Sequence, residues 1–353
     1  TIENIKALKK MQNENRENEI LFSSPNNYFD SLDVELKELP VVKDDLQHHA
    51  SGCYSAHWQI KADNRKAEHR LMNAEKMSTL AYRLMDYPYP KKDIQTAWEK
   101  VMFNHFHDII AGCSIKEAYE DAAEFHGMAL HMGDWIQNGA IQRISWAVDT
   151  MQGEASLRSK EKHWALWEYE DMGTPFIVFN PLSWEVKRPI QVNALIKGVT
   201  DDEGNSLPIQ VVRGSQTNNE DKWNTIFEST IPALGYKLYW VHLDKEFNRK
   251  ENQDNTTNQK SENVIENEYV RLEIEEHTGY INSLYDKRNG VEVLEGRGGI
   301  PILIDIHHCD TWAHGIFEFS DEVGRFTDAK IQIVEAGPLR QILRVSSRYN
   351  DST

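Results

Sequence analysis

The segment MFNHFHDIIAGCSIKEAY, residues 102–119, sets His105, His107 and Asp108 within four positions of a mostly apolar run. Neutral imidazole and carboxylate are good zinc ligands, so these residue types raise the question of a metal corner. A catalytic zinc needs about three protein ligands and an open position, and one short cluster offers two or three candidates. If the segment is helical, His105 and His107 at i and i+2 face apart and are badly placed to share an ion. A second account fits the same residues: polar groups satisfied where one helix hands over to the next, with Asp108 near the next helix's positive end. Taken alone, the cluster is under-liganded and this second account serves it better.

Other residues carry weaker chemistry. CDTWAHG, residues 309–315, puts Asp310, Trp312 and His314 together, two hydrogen-bonding groups around an aromatic platform. That is the chemistry of a sugar-binding rim, and a strand-to-loop turn accounts for it equally well. Tyr54 in GCYSAHW could line a sugar pocket or pack at the start of a helical bundle. Asn64 and Arg65 stand at a helix start, where a structural ion pair with Glu68 or Glu75 explains them as well as a functional role does. His307 and His308 could pair with His314, but no spacing rule supports a second metal. DDEGN, residues 201–205, reads as a solvated β-turn. No histidines sit at the i, i+4 spacing of a HExxH helix, which makes a zinc hydrolase built from local histidines alone remote.

The elements that would position these groups fall into three stretches. Residues 4–40 read helix, strand, helix: ENIKALKKMQNEN with Ile5, Leu8 and Met11 in helical register, then EILFSS, then a restart after Pro25. One such unit cannot bury a sheet, so either it packs onto the following helices or it is the last piece of a larger α/β domain, and 1–45 is read as the latter. Residues 61–150 are helical, with Ala67, Leu71, Ala74, Ser78, Ala81 and Met85 on one face. YPYP stops that helix, DIQTAWEKVMFNHF forms a second, and SIKE at Ser114 reads as the capping box of a third. Its apolar face runs through Ile115, Ala118, Ala122, Phe125, Ala129, Met132 and Ile136.

From Thr174 the period becomes two, as in TPFIVFNPL, GYKLYWVHL and NEYVRLEIEEHTGYINSLYD, and the pair Asn289-Gly290 predicts a hairpin. The fold class is multidomain α+β: a short α/β piece over 1–45, a three-helix bundle over 46–150, a connector over 151–173 and an antiparallel β-sandwich over 174–353. Residues 244–263 are almost free of apolar side chains and predict a linker. The last strand has no evident closing element, so the sandwich is expected to continue past residue 353.

The bulk numbers bound the partners. With 39 basic and 56 acidic residues the net charge is -17, which repels nucleic acid and anionic membrane. Three widely spaced cysteines (Cys53, Cys113, Cys309) form no disulfide framework and no CxxC zinc pattern, so a reducing, cytoplasmic setting is expected. No stretch of about 18 apolar residues could span a bilayer. The chain starts without methionine, and its opening says little about export. A homo-oligomer is compatible with the sequence and not specified by it.

Three segments then carry a resemblance: HASGCYSAHWQIKADNRKAEHRLMNAEKMSTLA, AWEKVMFNHFHDIIAGCSIKEAYEDA and PFIVFNPLSWEVKRPI. In order and spacing they resemble the middle of an α-mannosidase of glycoside hydrolase family 38, over about residues 20–320. HDIIAGCS is the most specific; FNPLSW is typical but chemically mute. CDTWAHG resembles the family's bacterial branch. The resemblance implies a zinc-dependent retaining glycosidase acting on α-mannoside oligosaccharides, built from an α/β barrel, a three-helix bundle and C-terminal β-domains. It implies that His107 is a zinc ligand and that Asp108 contacts sugar hydroxyls; Tyr54, Asp310, Trp312 and His314 stay candidate substrate contacts on their own chemistry. Cys113 stands where Thr or Ser is common. The nucleophile, the acid/base and the remaining zinc ligands are implied to lie on the barrel upstream, so no catalytic carboxylate is assigned here and the isolated chain is expected to be inactive. The alternative is a non-catalytic carbohydrate-binding or oligomer-forming β-module with a helical spacer.

Overall fold

Alanine recurs along the buried faces of three helices, and short side chains let those helices approach closely. They are α3 (Trp58–Met85), α4 (Lys91–Phe103) and α6 (Lys116–Ser145). Ala67, Leu71, Ala97, Val101 and Ala129 close one fully buried cluster, with Trp98, Leu130 and Met132 against it. At Gly133 a Cβ would come 2.7 Å from Arg70 Cγ, so α6 uses glycine where it crosses α3. Truncating Leu71 in such a seam would cost about 2–5 kcal/mol. The computed structural model describes residues 1–14, 19–32, 39–44, 49–150, 173–215, 222–243, 263–306 and 309–353. Nearly all of the expected connector and linker, with His307 and His308, lies outside them.

The chain divides into two units, Thr1–His48 and His49–Thr353. The first carries α1 (Ile2–Glu14) and α2 (Pro25–Asp30) and buries none of their residues. The strand expected over EILFSS is not formed: residues 19–24 pair with no strand, and Leu21 and Phe22 stand exposed. A strand needs a ladder partner, and the described residues of this unit offer none. Ser24 instead caps α2, its Oγ accepting from the Asn27 N–H.

A second correction concerns α6. Its cap is Ile115, with no side-chain cap bond, and Ile115 is exposed rather than on the apolar face. The expected Ser114 box is absent because the Ser114 N–H donates to Tyr119 Oη at 3.0 Å. Ala122, Ala129 and Ile136 are buried as the register predicts, and so is His126.

The β region begins as a two-sheet sandwich. One sheet runs β1 (Thr174–Phe179), β7 (Tyr236–Leu243), β3 (Ile196–Asp201), β4 (Ser206–Leu207); the other runs β2 (Val186–Val192), β6 (Trp223–Ile231), β5 (Ile209–Arg213). Phe227 from β6 packs edge-on to Tyr239 from β7 at 4.9 Å, and the Tyr239 hydroxyl reaches Ser229 at 2.6 Å. Residues 201–205 form the expected turn, with Asp201 Oδ1 accepting from the Glu203 and Asn205 N–H groups.

Antiparallel ribbons follow. β8 (Val264–Glu266), β9 (Val270–Ile274), β10 (Ile281–Asp286) and β11 (Val291–Glu292) make one sheet; β12 (Ile302–Ile304) pairs with β13 (Glu322–Arg325), and β14 (Thr327–Ala336) with β15 (Gln341–Arg348). Asp286 pairs with Val291 across the predicted hairpin, where Gly290 takes φ +67. Buried Gln210 of β5 ties the last ribbon down, accepting from the Leu339 and Arg340 N–H groups and donating to Arg340 O. The α+β class and the order of helices before antiparallel sheets are those read from the sequence.

Candidate functional site

α4 ends at Phe103, and Asn104 follows as its cap, fully buried, donating Nδ2 to Ala122 O at 2.9 Å. This fastens the chain to α6 just ahead of the histidines. His105 turns toward α3, where its Nε2 lies 2.8 Å from Asn64 Oδ1 and 3.8 Å from Glu68 Oε1. Glu68 also receives Asn64 Nδ2 and pairs with Arg65 at 2.8 Å. The Asn64 and Arg65 network thus resolves on Glu68, while Glu75 takes the Trp98 indole N–H.

His107 opens the short helix α5 (His107–Ile110) and faces solvent, its side chain 77% exposed. Its Nε2 is 3.5 Å from Asp108 Oδ2, and its ring lies 4.4 Å from that of Phe106. The two histidines therefore diverge, His105 lying in the break between α4 and α5 and His107 at the start of α5. One is absorbed into the bundle's polar network. The other faces outward, in contact with its chain neighbours Phe106 and Asp108.

Behind Asp108 the chain makes a tight turn. Cys113 Sγ lies 3.7 Å from Asp108 Oδ1, and the Cys113 N–H donates to Asp108 O at 3.2 Å. The Tyr119 hydroxyl donates toward the carbonyls of Asp108 and Ile109, each 3.3 Å away. Burial pushes the Cys113 thiol and the Tyr119 hydroxyl up from their ordinary pKa values, and the Asp108 charge adds to both. Gly112 takes φ +87, and a Cβ there would meet Ala56 O at 2.3 Å, so only glycine fits.

Residues 49–57, just ahead of α3, touch this turn with one end and the C-terminal sheets with the other. Lys61 Nζ bridges Ala56 O at 2.5 Å and Ala111 O at 3.1 Å, and burial pulls its pKa down. Gly52, in the 3-10 turn Ser51–Tyr54, donates its N–H to Trp312 O. In that facing loop Asp310 Oδ2 lies 2.6 Å from His314 Nδ1, and this bond holds the Asp310 carboxyl below the usual carboxylate range. The rings of Trp312 and His314 are parallel within 4° at 5.8 Å, and His49 lies 5.6 Å from His314. Tyr54 is exposed on the same 3-10 turn.

Tyr54, Asp310, Trp312 and His314 are thus gathered at one end of this segment, and the turn bearing His107 and Asp108 adjoins the other. Non-glycine backbone at positive φ clusters here too: Ala50 (57°), His57 (44°) and Ala313 (57°). Such conformations cost about 1–3 kcal/mol each and persist where the surroundings over-determine them, often at functional sites. Gly52, Lys61 and Tyr119 were not signalled by the sequence, because each matters through a distant partner. Among the described residues no group of three or more His, Cys, Asp or Glu is placed to hold a metal. His107 leaves an imidazole facing outward, and Asp108 beside it a half-exposed carboxylate that can accept hydrogen bonds.

The family model described as the α-mannosidase middle domain matches residues 48–144, which include the His107–Asp108 turn. The glycosyl hydrolases family 38 C-terminal domain model matches residues 265–353, which include the Asp310–His314 loop. The chain belongs to glycosyl hydrolase family 38. Alpha-mannosidase 2C1 of Mus musculus is 31% identical over 122 residues, 34% of this chain and 12% of that protein. Alpha-mannosidase G of Dictyostelium discoideum is 23% identical over 92% of this chain and 30% of its own length. An α-mannosidase structure from Enterococcus faecalis superposes with TM-score 0.61 at 18% identity, over 98% of this chain and 42% of that one. This family 38 chain therefore spans less than half the length of these relatives.

Proposed function

We propose that the chain is part of a zinc-dependent retaining α-mannosidase acting on α-mannoside oligosaccharides in the cytoplasm. One observation carries the reading: the two segments matched by family 38 models meet across residues 49–57, next to an outward-facing His107. His107 is the metal ligand in this chain, and Asp108 beside it accepts hydrogen bonds from sugar hydroxyls. Zinc, when bound, supplies charge for orienting those hydroxyls. The buried Asn104 anchor and the His105–Asn64–Glu68 network hold the turn that presents both side chains. Tyr54 and the stacked Trp312–His314 pair offer flat and polar surface to a longer glycan.

A retaining glycosidase also needs two carboxylates about 5–5.5 Å apart across the scissile bond. We assign neither to a residue of this chain. The test is hydrolysis of p-nitrophenyl α-mannoside with zinc, by the chain alone and by the longest natural form of the protein. The chain should be inactive; the longer form should turn over with retention of configuration and lose activity with His107→Ala. Turnover by the chain alone would sink the assignment. An inactive longer form that still binds mannoside through Trp312 would favour the non-catalytic module.

A further inference from the structure

We propose that Cys53 and Cys113 are a redox-active thiol pair that a peroxide converts to a disulfide, tying residues 49–57 to the turn behind Asp108. The inference is independent of the glycosidase reading. The two thiols sit on loops in direct backbone contact: the chain at Gly112 lies against Ala56 O, and Lys61 Nζ binds carbonyls of both loops. Both cysteines are partly accessible, and neither is bridged. Cys113 directly follows Gly112, and Cys53 lies on the 3-10 turn whose Gly52 carbonyl accepts from the Ala56 N–H, so the contact brings both thiols to one junction.

The chemistry balances with hydrogen peroxide as the oxidant. Cys53 is assigned as the attacking thiol, and Cys113, whose Sγ lies 3.7 Å from Asp108 Oδ1, as the resolving one. The Cys53 thiol gives up its proton and attacks one peroxide oxygen; the O–O bond breaks, the departing hydroxide takes up that proton, and a sulfenic acid and one water result. Cys113, losing its proton, attacks the Cys53 sulfur; the S–O bond breaks and a second water leaves. Two thiols are oxidised, one peroxide is reduced, and the Cys113 sulfur is withdrawn from Asp108.

The reduced full chain is treated with hydrogen peroxide, alkylated, digested and mapped by mass spectrometry. The expected result is a 2 Da mass loss, one peptide pair joining Cys53 to Cys113, an unmodified Cys309, and full reversal by dithiothreitol. C53S and C113S should each abolish the link, with circular dichroism confirming that both fold. In glutathione redox buffers the effective concentration of the pair should be at least tenfold higher in native chain than in urea. A link through Cys309, sulfinate or sulfonate without a link, three surviving thiols, or equal values in buffer and urea would overturn the proposal.

Discussion

Gly52 donates its backbone N–H to Trp312 O at 3.3 Å, and this bond joins the segment ahead of the bundle to a loop of the C-terminal sheets. The approach is close because residue 52 has no side chain. A Cβ there would lie 2.7 Å from Thr311 O and 2.9 Å from Ala313 N, both backbone atoms that cannot rotate aside.

Gly52→Ala should therefore push the 310–315 loop away at a cost of about 1–3 kcal/mol, the usual range for overpacking. Hydrogen exchange should rise across that loop and leave the α3–α6 core unchanged. Unchanged protection at Trp312 and Ala313 would show that the contact is not tight.

Gly127 makes the opposite case. It lies inside α6, and an added Cβ would meet nothing within 4 Å. Gly127→Ala should stabilise the protein by about 0.5–1 kcal/mol through helix propensity, read from the urea midpoint.

Asn180 gives meaning to a motif that looked mute. Its side chain is buried and donates to Trp184 O, Ile231 O and Pro232 O while accepting from the Leu182 N–H. Asn180→Ala orphans several of these groups at once and should cost about 2–4 kcal/mol, since each buried polar group left unpaired costs about 1–3 kcal/mol. Chemical denaturation measures it, and His107 exposure should not change.

His126 predicts a pH response. It is 1% exposed, neither ring nitrogen has a hydrogen-bond partner, and burial lowers its pKa, with Asp63 opposing and His105 reinforcing the shift. The folded protein thus binds fewer protons than the unfolded chain, whose histidine titrates near 6.5. This contribution is intact above pH 6.5 and is lost as the pH falls through the depressed folded value. Urea midpoints between pH 8 and 5 should decline, and His126→Gln should flatten that slope.

The helical bundle was legible because its signal is periodic: Ala67, Leu71, Ala74 and Ala81 repeat on one face and all are buried. The Asn289-Gly290 hairpin was legible because turn chemistry is local. EILFSS misled because strand character is only a potential until a partner supplies the ladder. SIKE misled because Tyr119 Oη takes the Ser114 N–H that Glu117 would accept from in a capping box. At the site, His105 and His107 diverge because the chain breaks between α4 and α5, whereas their i, i+2 spacing bears only on one continuous helix. The neighbours of Asp108 were not legible either, because Cys113, Tyr119 and Lys61 converge only after α3 and α6 have packed.

Phe179, at the end of β1, packs with Met77, Ala81, Ala140 and Ile144, and Lys76 Nζ holds Pro181 O at 3.1 Å. That shared seam governs how the protein can be cut. Expressed without the sandwich, residues 49–150 would bare an apolar strip on α3 and α6 and tend to aggregate. A soluble piece carrying His107 should therefore extend through β7, the strand that pairs with β1.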